Sequence, residues 1–255
     1  MKRILALILT FFTITILHAQ KKRGEYWIDA GSGLFHFSGD IANPSSTLLY
    51  TPYFFKGYAG TYGSKSNGLG WSIATTAQAI LENNVVWGIG VGYEHFSAKS
   101  TVVDGVYIPV QANGLPAPER QIKADGKSTI AFNFINIFPY IGYRLEYKKI
   151  KVDLTVGGEI GFVTRQSGRI TTDAEVAGHI DTATILNRAK TDYRLRPQLR
   201  VSYERMSLYM GYSLGIRNYM DNNADYNARS RIFRLGIGYN IYGPIIRKIW
   251  SGFKL

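Results

Sequence analysis

Apolar and polar residues alternate along most of the chain, and this period of two indicates strands with two unlike faces. Each alternating segment has roughly ten or more residues, whereas strands of soluble proteins average about 5–6. A strand that crosses a membrane at a tilt needs about 9–11 residues. The pattern therefore favours membrane-crossing strands, and it predicts eight of them, at Tyr26–Phe37, Leu69–Leu81, Val85–Phe96, Ser128–Tyr147, Lys149–Thr164, Tyr193–Glu204, Ser207–Tyr219 and Ser230–Tyr242.

Short and long connections alternate between these segments. The short ones are polar turns at Glu82-Asn83-Asn84, Lys148-Lys149 and Arg205-Met206. The long ones are predicted as loops, at Ser38–Gly68, Ser97–Lys127, Arg165–Asp192 and Met220–Arg229. Single-chain outer-membrane barrels have this arrangement, with short periplasmic turns, longer extracellular loops and an even number of strands. Both termini are then expected on the periplasmic side.

The composition of the two faces indicates which one meets lipid. In the seventh segment one face reads Leu208, Met210, Tyr212, Leu214, Ile216 and the other reads Tyr209, Gly211, Ser213, Gly215, Arg217. Glycine weakens a strand on a solvated surface, but it suits the crowded interior of a narrow barrel. We therefore expect the bulky faces in lipid and predict an all-β fold, an eight-stranded antiparallel transmembrane β-barrel preceded by a cleaved signal peptide.

Charged residues on the inner faces are of both signs and nearly balance. The predicted lumen ion-pair network consists of Asp29, Glu94, Arg144, Glu146, Asp153, Glu159, Arg194, Arg196, Arg200, Glu204, Arg217 and Arg234. An eight-stranded barrel has room inside for little more than its own side chains. Arginine forks bound to carboxylates would fill that space, because unpaired charges in a dry interior are unfavourable. The row Arg194, Arg196, Arg200 has an alternative interpretation as an anion-selective pore.

Residues 1–19 are expected to be a signal peptide. Lys2 and Arg3 precede an apolar stretch from Ile4 to Leu17, which is too short for a membrane helix. Its removal lowers the formal charge from +12 to +10, and export makes a nucleic-acid partner unexpected. The chain has no Cys, which excludes disulfides, a thiolate metal site and a Cys nucleophile. Residues 20–242 are assigned to the barrel and residues 243–255 to a basic amphipathic tail.

Two neighbouring segments resemble the PorT-like outer-membrane β-barrel family of Bacteroidota. The first reads Asn136-Ile137-Phe138-Pro139-Tyr140-Ile141-Gly142-Tyr143-Arg144, and the second reads Val156-Gly157-Gly158-Glu159-Ile160-Gly161. The stretches Gly70–Ile73 and Arg234–Tyr239 are similar to that family too. The resemblance implies an integral barrel of the outer membrane and, as partners besides lipid, components of type IX secretion or gliding. The continuation past Tyr242 departs from the family pattern, since membrane barrels commonly end on an aromatic strand residue.

Catalytic and cofactor chemistry is sparse in the sequence. The histidines have no metal-ligand spacing, so we predict no metal and no cofactor. His95 and Ser97 lie two apart at a strand end and resemble the His-x-Ser dyad of outer-membrane lipid A deacylases, although Ala98 replaces the expected Asn. We predict a non-enzymatic binding or assembly protein, with that hydrolase and a small channel as alternatives. Aromatic residues of the first long connection form a candidate binding surface or extend the strands: Tyr50, Tyr53, Phe54, Phe55, Tyr58 and Tyr62.

Overall fold

A computed structural model describes residues 21–40, 42, 45–51, 55–59, 65–107, 118–175, 178–185, 191–219 and 227–241. The strands in chain order are β1 (Lys21–Ser38), β2 (Ser45–Thr51), β3 (Phe55–Ala59), β4 (Ser66–Leu81), β5 (Val85–Tyr107), β6 (Arg120–Tyr147), β7 (Ile150–Ala174), β8 (Gly178–Ile185), β9 (Thr191–Tyr203), β10 (Met206–Gly215) and β11 (Arg229–Asn240). In this part of the chain, no helix is long and apolar enough to cross a membrane. The predicted signal peptide and the predicted tail lie outside the described residues.

Eight of the strands form a closed wall. Going round it, the order is β1, β4, β5, β6, β7, β9, β10 and β11, and every neighbouring pair is antiparallel. The wall closes where β1 pairs with β11, from Trp27 opposite Asn240 to Ser38 opposite Arg229. Closure leaves no unpaired wall edge. The predicted eight-stranded antiparallel barrel is confirmed, and each wall strand contains most of a predicted segment.

Tight turns join the wall strands at one end of the barrel, which we call the turn end. One residue in each turn has a positive φ: Asn84 at 63°, Lys148 at 54° and Glu204 at 52°. Asn adopts this left-handed backbone readily, whereas Lys and Glu do so at a cost of about 1–2 kcal/mol. The register of each hairpin, such as Tyr147 opposite Ile150, is set by these short turns.

The opposite end, which we call the loop end, is built differently from the prediction. Three of the four predicted loops contain strand, because β5, β6 and β7 continue to 23, 28 and 25 residues and the additional strands β2, β3 and β8 pair above the wall. β2 runs parallel to β5 from Ser45 opposite Thr101, beyond the point where β4 begins opposite Lys99. β8 pairs with β7 from Ser167 to Ala174, beyond the part of β7 that β9 covers. The result is a second sheet, ordered β3-β2-β5-β6-β7-β8, which we call the loop-end sheet.

One face of the loop-end sheet is apolar and buried. Its cluster consists of Leu48, Val102, Ile122, Ala124, Ile170, Ala174 and Ile180, with Tyr107 packed against it. Cα atoms of β3 come within 8 Å of those of β8, so the two edge strands approach each other and the sheet curls around this cluster. The loop-end sheet therefore has a core of its own above the barrel.

Candidate functional site

The outer wall of the barrel carries large apolar side chains exposed on every strand. Leu208, Leu235 and Ile141 are 61%, 56% and 57% exposed, and they alternate along their strands with buried residues. The apolar patches of water-soluble proteins rarely exceed a few hundred Å². We call this continuous surface the apolar belt; it is the lipid-facing surface of a membrane barrel.

Inside the wall near the turn end, Arg144 is the centre of a buried cluster. Its Nε and Nη2 donate to the two oxygens of Asp153 at 2.6 and 2.7 Å, and its Nη1 and Nη2 donate to those of Glu25 at 2.9 Å each. The three side chains are at most 2% exposed. Gln78 donates to Glu25 at 2.9 Å and accepts from the Tyr140 hydroxyl at 2.8 Å. One guanidinium thus binds two carboxylates in fork geometry, the strong form of this contact.

A second fork lies halfway along the lumen. Arg200 donates through Nη1 and Nη2 to the two oxygens of Asp29, at 2.9 and 2.8 Å. Thr76 donates to the same carboxylate at 2.9 Å. The guanidinium also lies over the Trp27 ring, 4.8 Å from its centroid, which adds cation–π attraction.

The third cluster, towards the loop end, shares its carboxylates among several cations. Arg234 donates to both oxygens of Glu94 at 2.6 and 2.7 Å, and to Glu159 at 2.7 Å. Arg194 donates to Glu159 at 2.8 Å and to Asp192 at 2.7 Å. Ser213 donates to the second oxygen of Glu159 at 2.6 Å. Each buried carboxylate of this cluster therefore meets at least one charged donor.

An aromatic plug closes the lumen beyond the third cluster. It is formed by inner-face residues of the wall strands: Phe35, Phe37, Phe96, Phe132 and Phe134, packed with Val163, Tyr219, Ala228 and Ile232. Phe132 stacks on Phe134 at 5.7 Å and meets Phe35 edge-on at 5.6 Å. The inner ends of these rings contact the charges below, since the Arg194 guanidinium lies 4.4 Å from the Phe134 ring centroid. Charged clusters and plug together fill the lumen with side chains.

A small cavity of about 30 Å³ remains between the second and third clusters. It is lined by Asp29, Thr76, Glu94, Asn136, Arg196 and Arg200, among others. The Asn136 amide and Arg196 Nε are buried there without a hydrogen-bond partner in the protein. A volume of this size, with polar groups around it, accommodates about one water molecule.

Three predicted lumen residues lie elsewhere. Glu204 is in a turn, where it is exposed and accepts from Lys149 at 2.9 Å. Glu146 is at the rim, 46% exposed and 3.9 Å from Arg144, because β6 extends there beyond the first residue of β5, Val85, which is opposite Tyr143. Arg217 follows the end of β10 and donates to the Thr191 carbonyl at 2.9 Å. Glu204 has the parity of the inward-facing residues of β9, but β9 ends at Tyr203 and Glu204 belongs to the turn.

Two buried carboxylates were missed by the sequence interpretation. Glu25 and Asp192 each stand one residue before a predicted strand start, at Tyr26 and Tyr193, so they were not assigned to an inner face. In the structure β1 begins at Lys21 and β9 begins at Thr191, and both carboxylates are buried. Extending the alternation backwards by one residue would have found them.

His95 and Ser97 do not form the dyad of the hydrolase alternative. His95 Nδ1 lies 2.6 Å from Asn133 Oδ1, and the imidazole also lies against the Trp71 ring at 6.3 Å. Ser97 donates to the Leu69 carbonyl at 3.0 Å. The two side chains are thus bound to different neighbours on the outer face of the wall.

The candidate aromatic surface is only partly within the described residues. Tyr50 lies on β2, and Phe55 and Tyr58 lie on β3, so this stretch is strand rather than loop. Tyr53, Phe54 and Tyr62 lie outside the described residues. In the described ranges, no group of three or more His, Asp or Glu is arranged to hold a metal ion.

Comparison with known proteins finds similarity in architecture. No family model matches the chain, and a search of curated proteins finds no similar sequence. Among solved structures, the chain is similar to Ail, the attachment invasion locus protein of Yersinia pestis, with a TM-score of 0.40 and 12% identity over 86% of this chain and 99% of that one. It is also similar to Neisserial surface protein A, with a TM-score of 0.36 and 13% identity over 86% and 99% of the two chains. The outer membrane protease OmpT of Escherichia coli matches with a TM-score of 0.33 and 11% identity over 85% and 97%. At these scores the fold assignment rests on the strand pairing alone, and none of these activities transfers to this chain.

Proposed function

We propose that this chain is a non-enzymatic integral protein of a bacterial outer membrane, with its turn end in the periplasm and its loop end outside the cell. The observation that carries the proposal is the combination of an apolar belt outside the wall with ion-paired, buried charges inside it. A soluble barrel has the reverse arrangement, since it places its apolar side chains inside.

The filled lumen favours a binding or assembly role over transport. In the anion-pore alternative, Arg194, Arg196 and Arg200 would line an open path. Arg194 and Arg200 instead bind Glu159 and Asp29 at 2.8 Å, and Arg196 Nη2 donates to Gln198 at 2.7 Å. Arg194 and Arg200 are thus paired with carboxylates, and Arg196 lines a cavity of about 30 Å³ and not an open path.

The loop-end sheet is the structure that such a barrel would present to partners. It has its own buried core, and its other face, with Lys123, Arg169 and Asp173 among its residues, is exposed. Ordered strands provide a pre-organised surface, which lowers the entropic cost of binding. The resemblance to PorT-like barrels adds the hypothesis that the partners are envelope proteins of secretion or gliding machinery.

The experiment that tests the membrane assignment is fractionation of cells that produce the full chain, followed by electrophoresis of unheated and heated samples. We expect the protein in the outer-membrane fraction, with a shift in mobility on heating that reports a folded barrel. Recovery in the soluble periplasmic fraction would overturn the proposal.

Orientation is tested with single cysteines, since the natural chain has none. Thr171→Cys on the loop-end sheet and Lys148→Cys at the turn end are matched exposed positions on opposite ends. A membrane-impermeant maleimide added to whole cells should label only the Thr171→Cys variant, and both variants after the outer membrane is permeabilised. Labelling of Lys148→Cys alone in intact cells would reverse the orientation.

A further inference from the structure

A patch of positive side chains lies on the outer face of the wall just above the apolar belt, at the loop end. Leu34 and Phe233 are opposite each other at the top of the belt on β1 and β11. Two residues further along the same faces, His36 is opposite Arg231, and then Ser38 is opposite Arg229. Lys65, which precedes β4, completes what we call the basic patch: His36, Lys65, Arg229 and Arg231.

The cations of this patch have no carboxylate partner among the described residues. Asp40, the carboxylate nearest to His36 along the chain, is held by Asn227, whose side-chain amide donates to it and whose Oδ1 accepts from the Asp40 backbone N–H at 3.3 Å. Lys65 and Arg229 are exposed, and Arg231 is half-buried. Within the part of the chain that the structure describes, the patch therefore keeps an excess of positive charge at a defined height on the wall.

The charges of the patch act on each other. The half-buried imidazole of His36 has a hydrogen bond with Asn67, and the positive charges of Arg231 and Lys65 act on it. The imidazole therefore responds to both neighbours across two strand boundaries. Arg229 lies two residues from Arg231 on the same face of β11, opposite Ser38.

Among the described side chains of the other rim, cations and carboxylates are mixed. At the turn end, exposed Lys148, Lys149 and Arg205 are interspersed with exposed Glu82, Glu146 and Glu204, and Lys149 is paired with Glu204 at 2.9 Å. β1 also begins at this end with Lys21, Lys22 and Arg23, so the two rims are not distinguished by the sign of their charge. What distinguishes the basic patch is its defined position directly above the apolar belt.

We propose that the basic patch binds a phosphate group of a phosphorylated glycolipid in the outer leaflet, with the acyl chains of that lipid lying on the apolar belt below Leu34. The inference rests on the proposed placement of the barrel in an outer membrane. Height supports this occupant, because the patch begins two residues along the strands above Leu34 and Phe233, at the level expected for lipid phosphates. Charge supports it as well, because guanidinium groups bind phosphate through paired, charge-assisted hydrogen bonds.

The test measures lipid retention by the folded protein. The full mature barrel is refolded in a neutral detergent, incubated with lipid A carrying its phosphates or with enzymatically dephosphorylated lipid A, and re-purified. Lipid bound per protein is then measured by mass spectrometry over a range of lipid concentrations. The wild type should bind the phosphorylated form at least about tenfold more tightly, the factor expected for one charge-assisted contact.

The variant R229Q/R231Q should lose that preference, and the double substitution K148Q/R205Q, which removes as many positive charges from the turn end, should keep it. Retention should also fall as salt is raised, because screening weakens exposed charge contacts. Equal retention of the two lipids by the wild type, or equal loss in both variants, would overturn the inference.

Heat-modifiable mobility of both variants separates this result from the membrane assignment. If the wild type inserts but does not discriminate between the lipids, only the lipid inference fails. If the wild type does not insert, the proposed function fails with it. Binding of inorganic phosphate to the patch, without retention of either lipid, would identify the site as one for free phosphate. That result would also overturn the inference.

Discussion

At the scale of single residues, the lumen is organised around arginines that each serve more than one acceptor. Arg144 joins Glu25 to Asp153, and Arg234 joins Glu94 to Glu159. In a buried network of this kind, loss of one cation leaves carboxylates without compensation in a low-dielectric interior. The effect of a substitution then depends on what is left behind more than on the contact that is lost.

Arg234→Gln should destabilise the barrel by about 3–5 kcal/mol, because Glu94 and Glu159 lose their shared partner while remaining buried. The measurement is the free energy of unfolding in urea from lipid vesicles. Lys149→Gln, which breaks the exposed pair with Glu204, is the control and should change it little. An Arg234→Gln barrel as stable as the wild type would show that the network carries no such constraint.

A substitution in one of the turns is expected to raise the stability of the barrel. Lys148 has φ 54°, a backbone that glycine adopts without strain, whereas the neighbouring Lys149 is not in the left-handed region. Lys148→Gly should stabilise the barrel by up to about 1 kcal/mol, since relief of strain outweighs the added freedom of the unfolded chain. Lys149→Gly should destabilise it by about 0.5–1 kcal/mol in the same unfolding measurement. The same sign for both would contradict this account of the turn.

Alternation in the sequence predicted inner and outer faces well in the middle of the wall strands and failed at their ends. Asp29, Glu94 and Arg200 lie inside as their parity indicates, because the pleat is regular there. Glu204 followed the same parity but lies in a turn, and Glu25 and Asp192 were left out at strand starts. Parity carries no information about where pairing stops, and that depends on the partner strand.

At the scale of elements, the structure separates wall strands from strands that only the loop-end sheet uses. β8 pairs with β7 alone, above the level that β9 covers. β9 and β10, by contrast, each complete the closed wall on both sides. Removal of β8 and removal of the β9–β10 hairpin should therefore affect barrel folding differently.

Replacement of residues 175–190 by a short Gly-Ser connection should leave a heat-modifiable barrel, because no wall pairing is lost. Deletion of a hairpin of similar length from the wall, residues 195–214, should abolish the mobility shift, because a central pair of strands is removed. A variant without β8 that fails to fold in vesicles would mean that the loop-end sheet is needed for closure of the wall.

The alternation in the sequence does not predict the loop-end sheet, and the reason is physical. Its segments do alternate, as Val102, Ile122, Ala124 and Ile170 show, but their outer faces are polar and charged. Above the membrane those faces meet water, so the lipid-facing pattern that marked the wall strands is absent there. The parallel pairing of β2 with β5 is a long-range contact that no local pattern encodes.

At the scale of the whole molecule, side chains occupy the lumen at three successive levels: ion pairs near the turn end, ion pairs mid-lumen, and the third cluster with its aromatic plug. A cavity of about 30 Å³ is too small to connect them. We therefore expect the protein to act by binding partners at its surfaces, and not by conducting solutes through its lumen.

Planar bilayers containing the purified protein should therefore show no conductance steps above background at moderate voltage. The variant F35A/F132A, which removes two plug rings while leaving the ion pairs in place, should remain silent. The combined variant F35A/F132A/R234S/E94S should begin to conduct, provided that its mobility shift confirms a folded barrel. Regular steps from the wild type would restore the channel alternative.

The parallel pairing of β2 with β5 also has a consequence in time. β2 precedes β4 in the chain, yet it pairs with the part of β5 that lies beyond the first residue of β4. Its partner is therefore synthesised only after β4 and the first part of β5. β3 depends in turn on β2, with which it pairs. Contacts between distant parts of a chain form late, because the entropy of closing the loop must be overcome first. The pairing that closes the wall joins residues much further apart, Trp27 and Asn240, so we expect it to form later still. The outer surface therefore starts to assemble on a wall that is still open.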